Sequence, residues 1–276
     1  MPSSQLRRAL EVTFAVGLWV AAGYRFRLSV SAYQLLGVVL VAAFQLLVRR
    51  RAMRTLWIRE GPAFRLDARG WGMAACLAVC PLFHLVRDLR TGASATSALV
   101  HAAALVGSIP AAYALRAFRR STLRMLLACL AIPGGVGIVM MSGGALLSGH
   151  VADRLPLERL AIGLDSFLLY LPLVFVFEEV SFRGAFDAHV QHPGERRGWE
   201  TAVWVSVLWG LWHVPVTLGA APLPALIANN VFVCVVIGVP FSIFWRRSGN
   251  LGVTGVTHAL VDAVRNALLT LPVRQV

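Results

Sequence analysis

The sequence contains no lysine: all 26 of its basic residues are arginine, against 13 acidic residues, which gives a net charge of +13. In a soluble protein such a charge would suggest nucleic-acid binding. Here the arginines lie between apolar runs, and no soluble domain is available to carry that function. The arrangement instead indicates control of membrane topology and contact with anionic lipid headgroups. We attribute the missing lysine to nucleotide bias in the source, and we expect membrane lipids rather than nucleic acid as partners.

Cysteine is scarce, and its four positions give no sign of a disulfide framework or a metal centre. All four lie in apolar runs: Cys76, Cys80, Cys129 and Cys234. Cys76 and Cys80 share a helix face, but no CxxC spacing or third ligand accompanies them. Buried, unreactive thiols are the expected outcome. No metal ion and no cofactor are predicted from the sequence.

Long apolar runs dominate the sequence. Hydrophobic residues make up 58% of the chain, charged residues only 14%, and the mean hydropathy is +0.70. Soluble domains are about 45–50% apolar, and a helix needs about 20 apolar residues to cross a bilayer. We therefore predict an all-α, polytopic membrane protein of about eight to nine transmembrane helices, forming a single integral membrane domain over residues 1–276. The candidate spans are Ala9–Tyr24, Leu28–Val48, Gly70–Val86, Ser97–Leu115, Met125–Leu147, Leu157–Glu179, Glu200–Leu218, Leu223–Trp245 and Asn250–Leu269.

The arginines are concentrated in alternate connections between these spans. If nine helices alternate in direction, the N-terminus and the second, fourth, sixth and eighth connections lie on one side, which the positive-inside rule assigns to the cytoplasm. We expect the inner membrane of a bacterium, with a cytoplasmic N-terminus. The arginines concerned are Arg7 and Arg8; Arg49, Arg50, Arg51, Arg54, Arg59, Arg65 and Arg69; Arg116, Arg119, Arg120 and Arg124; Arg196 and Arg197; and Arg246 and Arg247.

Two adjacent carboxylates, Glu178 and Glu179, directly follow the apolar run at 167–177. A charged side chain at the bilayer centre costs roughly 2.5–3.5 kcal/mol on insertion scales. Two such residues side by side indicate chemistry or transport inside the membrane.

Three late helices each carry two polar or aromatic residues at four-residue spacing, which places both on one helix face. The pairs are Glu179 with Arg183, Trp209 with His213, and His258 with Asp262. Polar groups facing lipid are far less favourable than polar groups sharing a wet cavity. We therefore expect the pairs to face one another, in a polar cavity among the late helices.

Such a cavity has the parts of a peptide-bond hydrolase without a covalent nucleophile. Glu178 could act as general base toward a bound water, and a histidine could hold that water or shuttle its proton. A second histidine could donate a hydrogen bond to the oxyanion formed at the substrate carbonyl. Arg183 could neutralise Glu179 in a bidentate pair.

The remaining polar residues give weaker signals. Asp165, Asn229 and Asn230 could line the cavity or make packing contacts, and Arg265 could pair with Asp262. Five histidines show no partner at helical spacing, and we interpret them as interfacial or loop residues: His84, His101, His150, His189 and His192.

These motifs resemble the CAAX protease and bacteriocin-processing (Abi) family of membrane proteins. Its pattern is Glu-Glu-x-x-x-Arg, then Phe-x-x-x-His, then His-x-x-x-Asn or Asp on successive late helices. Glu178, Glu179 and Arg183 match the first element. His213 matches the second, with Trp209 in place of phenylalanine, and His258 with Asp262 matches the third. The resemblance covers about Leu157–Leu269, the expected catalytic helices.

The resemblance implies a glutamate-dependent intramembrane endopeptidase. It assigns water activation to Glu178 with His213, oxyanion stabilisation to His258 with Asp262, and support to Glu179 with Arg183. Aspartate cannot donate a hydrogen bond unless it is protonated, so Asp262 could instead orient His258.

The family's substrates include prenylated C-terminal peptides, bacteriocin-related peptides and C-terminal sorting tails. The all-arginine, alanine-rich composition is typical of bacteria, and this disfavours the prenylated peptides. Two other functions remain open: a zinc-dependent protease using the same residues, and a non-enzymatic proton-coupled transporter or immunity protein.

Overall fold

The computed structural model describes residues 3–59, 61, 63–149, 151–191 and 198–269, and its regular structure over these residues is helical. Nine principal helices follow one another in this part of the chain. They are α1 (Ser3–Phe26), α2 (Val30–Val48), α3 (Ala68–Thr91), α4 (Ala95–Arg116), α5 (Arg120–Cys129, Leu130–Gly134 and Gly135–Ser148 in succession), α6 (Pro156–Val190), α7 (Glu200–Trp212), α8 (Leu223–Ser248) and α9 (Gly252–Leu268). The predicted all-α, polytopic bundle is confirmed.

Six of these nine helices are long and apolar enough to cross a membrane: α2, α3, α4, α5, α6 and α8. The other three predicted spans also coincide with helices, but these are more polar or shorter. Helix α1 carries Arg7, Arg8 and Glu11, whereas α7 and α9 have 13 and 17 residues. At 1.5 Å per residue, α7 and α9 extend roughly 20 and 25 Å, less than the roughly 30 Å hydrocarbon core.

The arginine-rich connections meet at one end of the bundle. The backbone N–H of Arg59, after α2, donates to the carbonyl of Gly249, after α8, at 2.8 Å. Arg116, at the end of α4, forms an ion pair with Asp67, just before α3, at 2.7 Å. We call this the arginine-rich end. Arg196 and Arg197 lie outside the described residues, as do His150 and His192.

Glycines let the late helices approach closely. A Cβ on Gly210 of α7 would come within 2.6 Å of the Val231 Cα of α8, so a larger residue would force these helices apart. Likewise, a Cβ on Gly255 of α9 would meet the ring of Phe175 in α6 at 3.0 Å. The sequence thereby brings α6, α7, α8 and α9 together around the predicted polar residues.

Helix α6 changes its winding before it reaches the glutamates. Pro172 lies inside the helix, and proline removes a backbone hydrogen bond and disturbs the regular α-helical turn. From Phe175 to Asp187 the helix is π-helical, with a wider turn. Segments of this kind occur frequently at functional sites. The wide segment contains Glu178, Glu179 and Arg183, so it sets the directions in which these side chains point.

Candidate active site

Glu178 is a buried carboxylate held by the neighbouring helix. The indole Nε1–H of Trp209 donates a hydrogen bond to Glu178 Oε2 at 2.9 Å. The Nε2 atom of His213 lies 3.6 Å from the same oxygen. That separation is too long for a direct hydrogen bond but leaves the two groups able to share a small polar ligand.

His213 lies at the C-terminal boundary of α7, where its ring is oriented by its own helix. Its Nδ1 atom is 2.9 Å from the Trp209 carbonyl oxygen, which can only accept, so Nδ1 carries the proton. In its neutral form the ring therefore presents an unprotonated Nε2 toward Glu178, and this nitrogen can accept a proton.

Glu179 points away from Glu178 to contact α9. Its side chain has 0% exposure, and its Oε1 accepts a hydrogen bond from His258 Nδ1 at 2.9 Å. On the other side of the imidazole, His258 Nε2 lies 3.7 Å from Asp262 Oδ2, and Asp262 forms a 2.8 Å ion pair with Arg265. His258 is thus held between two carboxylates.

Arg183 is buried in the same region, but the predicted bidentate pair with Glu179 does not form. Arg183 NH1 approaches Glu179 Oε1 to 3.7 Å, and none of the three guanidinium nitrogens has a hydrogen-bond partner among the described residues. The guanidinium carbon instead lies 4.1 Å from the centre of the Trp209 ring and 5.4 Å from that of Phe241. Coulomb attraction and cation–π contacts stabilise the buried charge.

A cavity of about 240 Å³ adjoins these side chains. Trp209, His213, His258 and Asp262 line it, together with Asn229, Asn230 and Arg265, which the sequence suggested as cavity or pairing residues. The Trp209 ring centre is 5.4 Å from both the His213 and the His258 ring centres. The structure thus brings the six predicted site residues together.

Other polar residues lie in places that the sequence did not indicate. Asp165 does not line this cavity, since it contacts Cys80 and His84 of α3. Three of the histidines that we interpreted as interfacial or loop residues lie in helices instead, and each pairs with a carboxylate. His84 pairs with Asp165 at 3.1 Å, His101 with Asp88 at 2.8 Å, and His189 with Glu11 at 2.7 Å. All three partners come from other helices, so spacing along one helix could not reveal these pairs.

Two further structural features of the site were missed in the sequence. One is the donor role of Trp209, which the sequence presented only as an aromatic residue. The other is a buried bidentate ion pair in which Arg246 of α8 donates to both carboxylate oxygens of Asp187 at 2.7 and 2.9 Å. Asp187 follows Glu179 by eight residues in a largely apolar segment, and that rarity of charge was the available signal.

The described fold and site define a class: a multi-pass integral membrane protein with carboxylates and histidines buried next to an internal cavity. Residues 162–264 match the family model for Rce1-like proteins, described as type II CAAX prenyl endopeptidase Rce1-like. No significant match was found among curated proteins or solved structures. This C-terminal region, which contains all six predicted site residues, is therefore similar to the CAAX protease family.

Proposed function

We propose that the protein is a glutamate-dependent intramembrane endopeptidase that cleaves a peptide bond near the C-terminus or membrane segment of its substrate. The observation that carries this proposal is the position of Glu178. Its carboxylate accepts a hydrogen bond from Trp209 and lies 3.6 Å from His213 Nε2, and both Trp209 and His213 line the cavity. A carboxylate and an imidazole in this relation can share one water molecule.

In the proposed reaction, the water donates one hydrogen bond to Glu178 and the other to His213 Nε2. As the water oxygen bonds to the substrate carbonyl carbon, its proton passes to Glu178. The tetrahedral intermediate collapses when the carbon–nitrogen bond breaks, and Glu178 returns the proton to the leaving amine. Glu178 thus serves first as base and then as acid, with no covalent intermediate.

His258 supplies the proposed oxyanion donor. Donation from Nδ1 to Glu179 fixes the ring, and Nε2 faces Asp262 and the cavity. An imidazolium held in this way could donate from Nε2 to the negative oxygen of the intermediate. Glu179 and Asp262 would act as positioning residues for His258, and Arg183 would balance the buried negative charge.

The proposed substrates are protein or peptide tails embedded in or attached to a membrane. The name of the matched family points to prenylated C-terminal peptides, so a prenylated CAAX peptide is one probe. The arginine-only composition, which we attribute to a bacterial source, favours C-terminal sorting tails or bacteriocin-related peptides as the other probes.

The test replaces Glu178 by glutamine, which keeps the shape of the side chain but removes the base. C-terminal peptides of membrane and secreted proteins are compared by mass spectrometry between cells with the wild type and cells with Glu178→Gln. Tails shortened only by the wild type identify substrates, which are then assayed with purified enzyme. We expect Glu178→Gln to abolish cleavage, and Glu200→Gln, an exposed glutamate at the start of α7, to retain it.

Two outcomes would contradict the proposal. Cleavage at the normal rate by a folded Glu178→Gln variant would exclude Glu178 as the base. Loss of a bound metal ion together with activity in that variant would instead favour the zinc-dependent protease.

A further inference from the structure

A second polar cluster lies away from the proposed active site, between α3, α4 and α6. Cys80 and His84 lie one turn apart on α3, and Asp165 of α6 reaches both. Asp165 precedes Glu178 by thirteen residues on the same helix, which corresponds to roughly 15–20 Å at helical rise. The cluster is therefore separate from the catalytic residues proposed above.

The distances within this cluster suit a metal ion. His84 Nε2 is 3.1 Å and Cys80 Sγ is 3.5 Å from Asp165 Oδ1, and all three ligand atoms lie within 4.8 Å of one another. Atoms bound to tetrahedral Zn²⁺ at about 2.0–2.3 Å are separated from each other by roughly 3.3–3.7 Å. Small side-chain rotations would bring all three atoms to an ion.

The charges of the cluster also suit a divalent cation inside a membrane protein. A cysteine thiolate, an aspartate carboxylate and a neutral histidine bound to Zn²⁺ sum to zero net charge. Neutral sites avoid most of the cost of placing charge in a low-dielectric interior. The side chain of Asp165 is 51% exposed, which gives an ion a route to the buried cysteine and histidine.

A hydrogen-bonded polar group adjoins the cluster on the side of α4. Asp88 accepts hydrogen bonds from His101 Nδ1 at 2.8 Å and from Ser97 Oγ at 2.6 Å. The His101 ring lies 5.4 Å from the His84 ring, tilted by 31°. This group packs beside His84, whose Nδ1 atom has no hydrogen-bond partner within the described part of the chain.

We propose that Cys80, His84 and Asp165 form a binding site for Zn²⁺, with one coordination position open to water. A thiolate, an imidazole and a carboxylate are the ligand types that zinc accepts, whereas calcium and magnesium prefer oxygen alone. The ion would link α3 to α6, the helix that carries Glu178 and Glu179. Binding of this ion does not depend on the proposed reaction.

The test measures zinc bound to the full-length protein in detergent after incubation with Zn²⁺ and desalting. We expect about one zinc ion per chain in the wild type, as for a three-ligand site with an open position. Cys80→Ser and Asp165→Asn should each lower this content at least tenfold. Cys76→Ser, one turn earlier on the same helix, should retain it, as should Glu178→Gln.

A spectroscopic measurement keeps the test independent of stability. Cobalt(II) added to the wild type and to Cys76→Ser should produce a thiolate-to-cobalt charge-transfer band that is missing in Cys80→Ser. Equal zinc content in the wild type and in a Cys80→Ser, Asp165→Asn double variant would overturn the proposal. Loss of zinc in Glu178→Gln but not in Cys80→Ser would also overturn it and move the metal to the catalytic residues.

Discussion

At the scale of single residues, Trp209 contacts three groups of the site, and no sequence pattern indicated these contacts. Its N–H donates to Glu178, its ring covers the guanidinium of Arg183, and its carbonyl orients His213. The phenylalanine that the family pattern has at this position could supply the ring and the backbone carbonyl but not the donor. Trp209 therefore gives this chain a positioning contact to its proposed base.

Replacing Trp209 by phenylalanine isolates that contact. Hydrogen bonds to charged groups are worth about 1.5–3 kcal/mol, so we expect kcat to fall by about tenfold or more. KM should change little, because the proposed role is to orient Glu178 rather than to bind substrate.

Steady-state kinetics on a substrate identified as above checks this prediction. Trp204→Phe, at a more exposed position on the same helix, provides the matched control. Unchanged kcat in Trp209→Phe would show that the indole donor is dispensable and that only the aromatic ring matters.

The residue scale also shows what the sequence could and could not predict. Four-residue spacing within a helix correctly placed Glu179 beside Arg183 and His258 beside Asp262, because i and i+4 share a face. The strongest contacts of Glu178 and Glu179, however, cross from one helix to another. Spacing along one helix carries no information about such contacts, since they depend on how the helices pack.

At the scale of helices, the ion pair between Asp187 and Arg246 ties the end of α6 to the end of α8. Arg246 also donates to the Thr201 hydroxyl at 2.8 Å and to the Gly198 carbonyl oxygen, so it reaches the start of α7 as well. Asp187 is fully buried. The end of α6, the start of α7 and the end of α8 therefore meet at one guanidinium.

Removing this guanidinium should destabilise the late helices. Truncating one partner of a buried ion pair leaves an uncompensated charge and costs about 3–5 kcal/mol. We expect Arg246→Met to lower the thermal unfolding temperature of the detergent-solubilised protein clearly. Arg247→Met, at the exposed neighbouring position, should leave it nearly unchanged.

A double variant separates charge from packing. If the loss comes from the unpaired carboxylate, adding Asp187→Asn to Arg246→Met should recover part of the stability. A double variant that is as unstable as the sum of both single changes would contradict this explanation and assign the loss to packing alone.

At the scale of the whole molecule, the ends of the bundle differ in charge, and the cavity lies toward the less basic end. Helix α7 begins near Arg246, at the arginine-rich end, and His213 lies at its other boundary. Thr217 and Asn229, on either side of the connection between α7 and α8, line the cavity. The cavity is therefore displaced from the arginine-rich end.

The sequence predicted the helical class and the shared side of the arginine-rich connections, since both follow from composition and charge between apolar runs. It could not predict that α7 and α9 are short. Their apolar residues pack against other helices as well as facing lipid, and hydropathy does not distinguish these environments. For the same reason, the sequence could not predict how deep in the membrane the cavity lies.

The orientation of the bundle in the membrane follows from the distribution of its arginines. By the positive-inside rule, we expect the arginine-rich end to face the cytoplasm. The connection between α7 and α8 should then face the opposite side, and substrate tails should enter from there. Fusions of green fluorescent protein and of alkaline phosphatase after residue 118 and after residue 220 test this. We expect fluorescence from the first position and phosphatase activity from the second, because each reporter works on one side only. Phosphatase activity at the first position and fluorescence at the second would mean that the orientation is the opposite, with the cavity nearer the cytoplasm. If the same reporter were active at both positions, the two connections would lie on one side of the membrane, which would contradict the described course of the chain between α4 and α8.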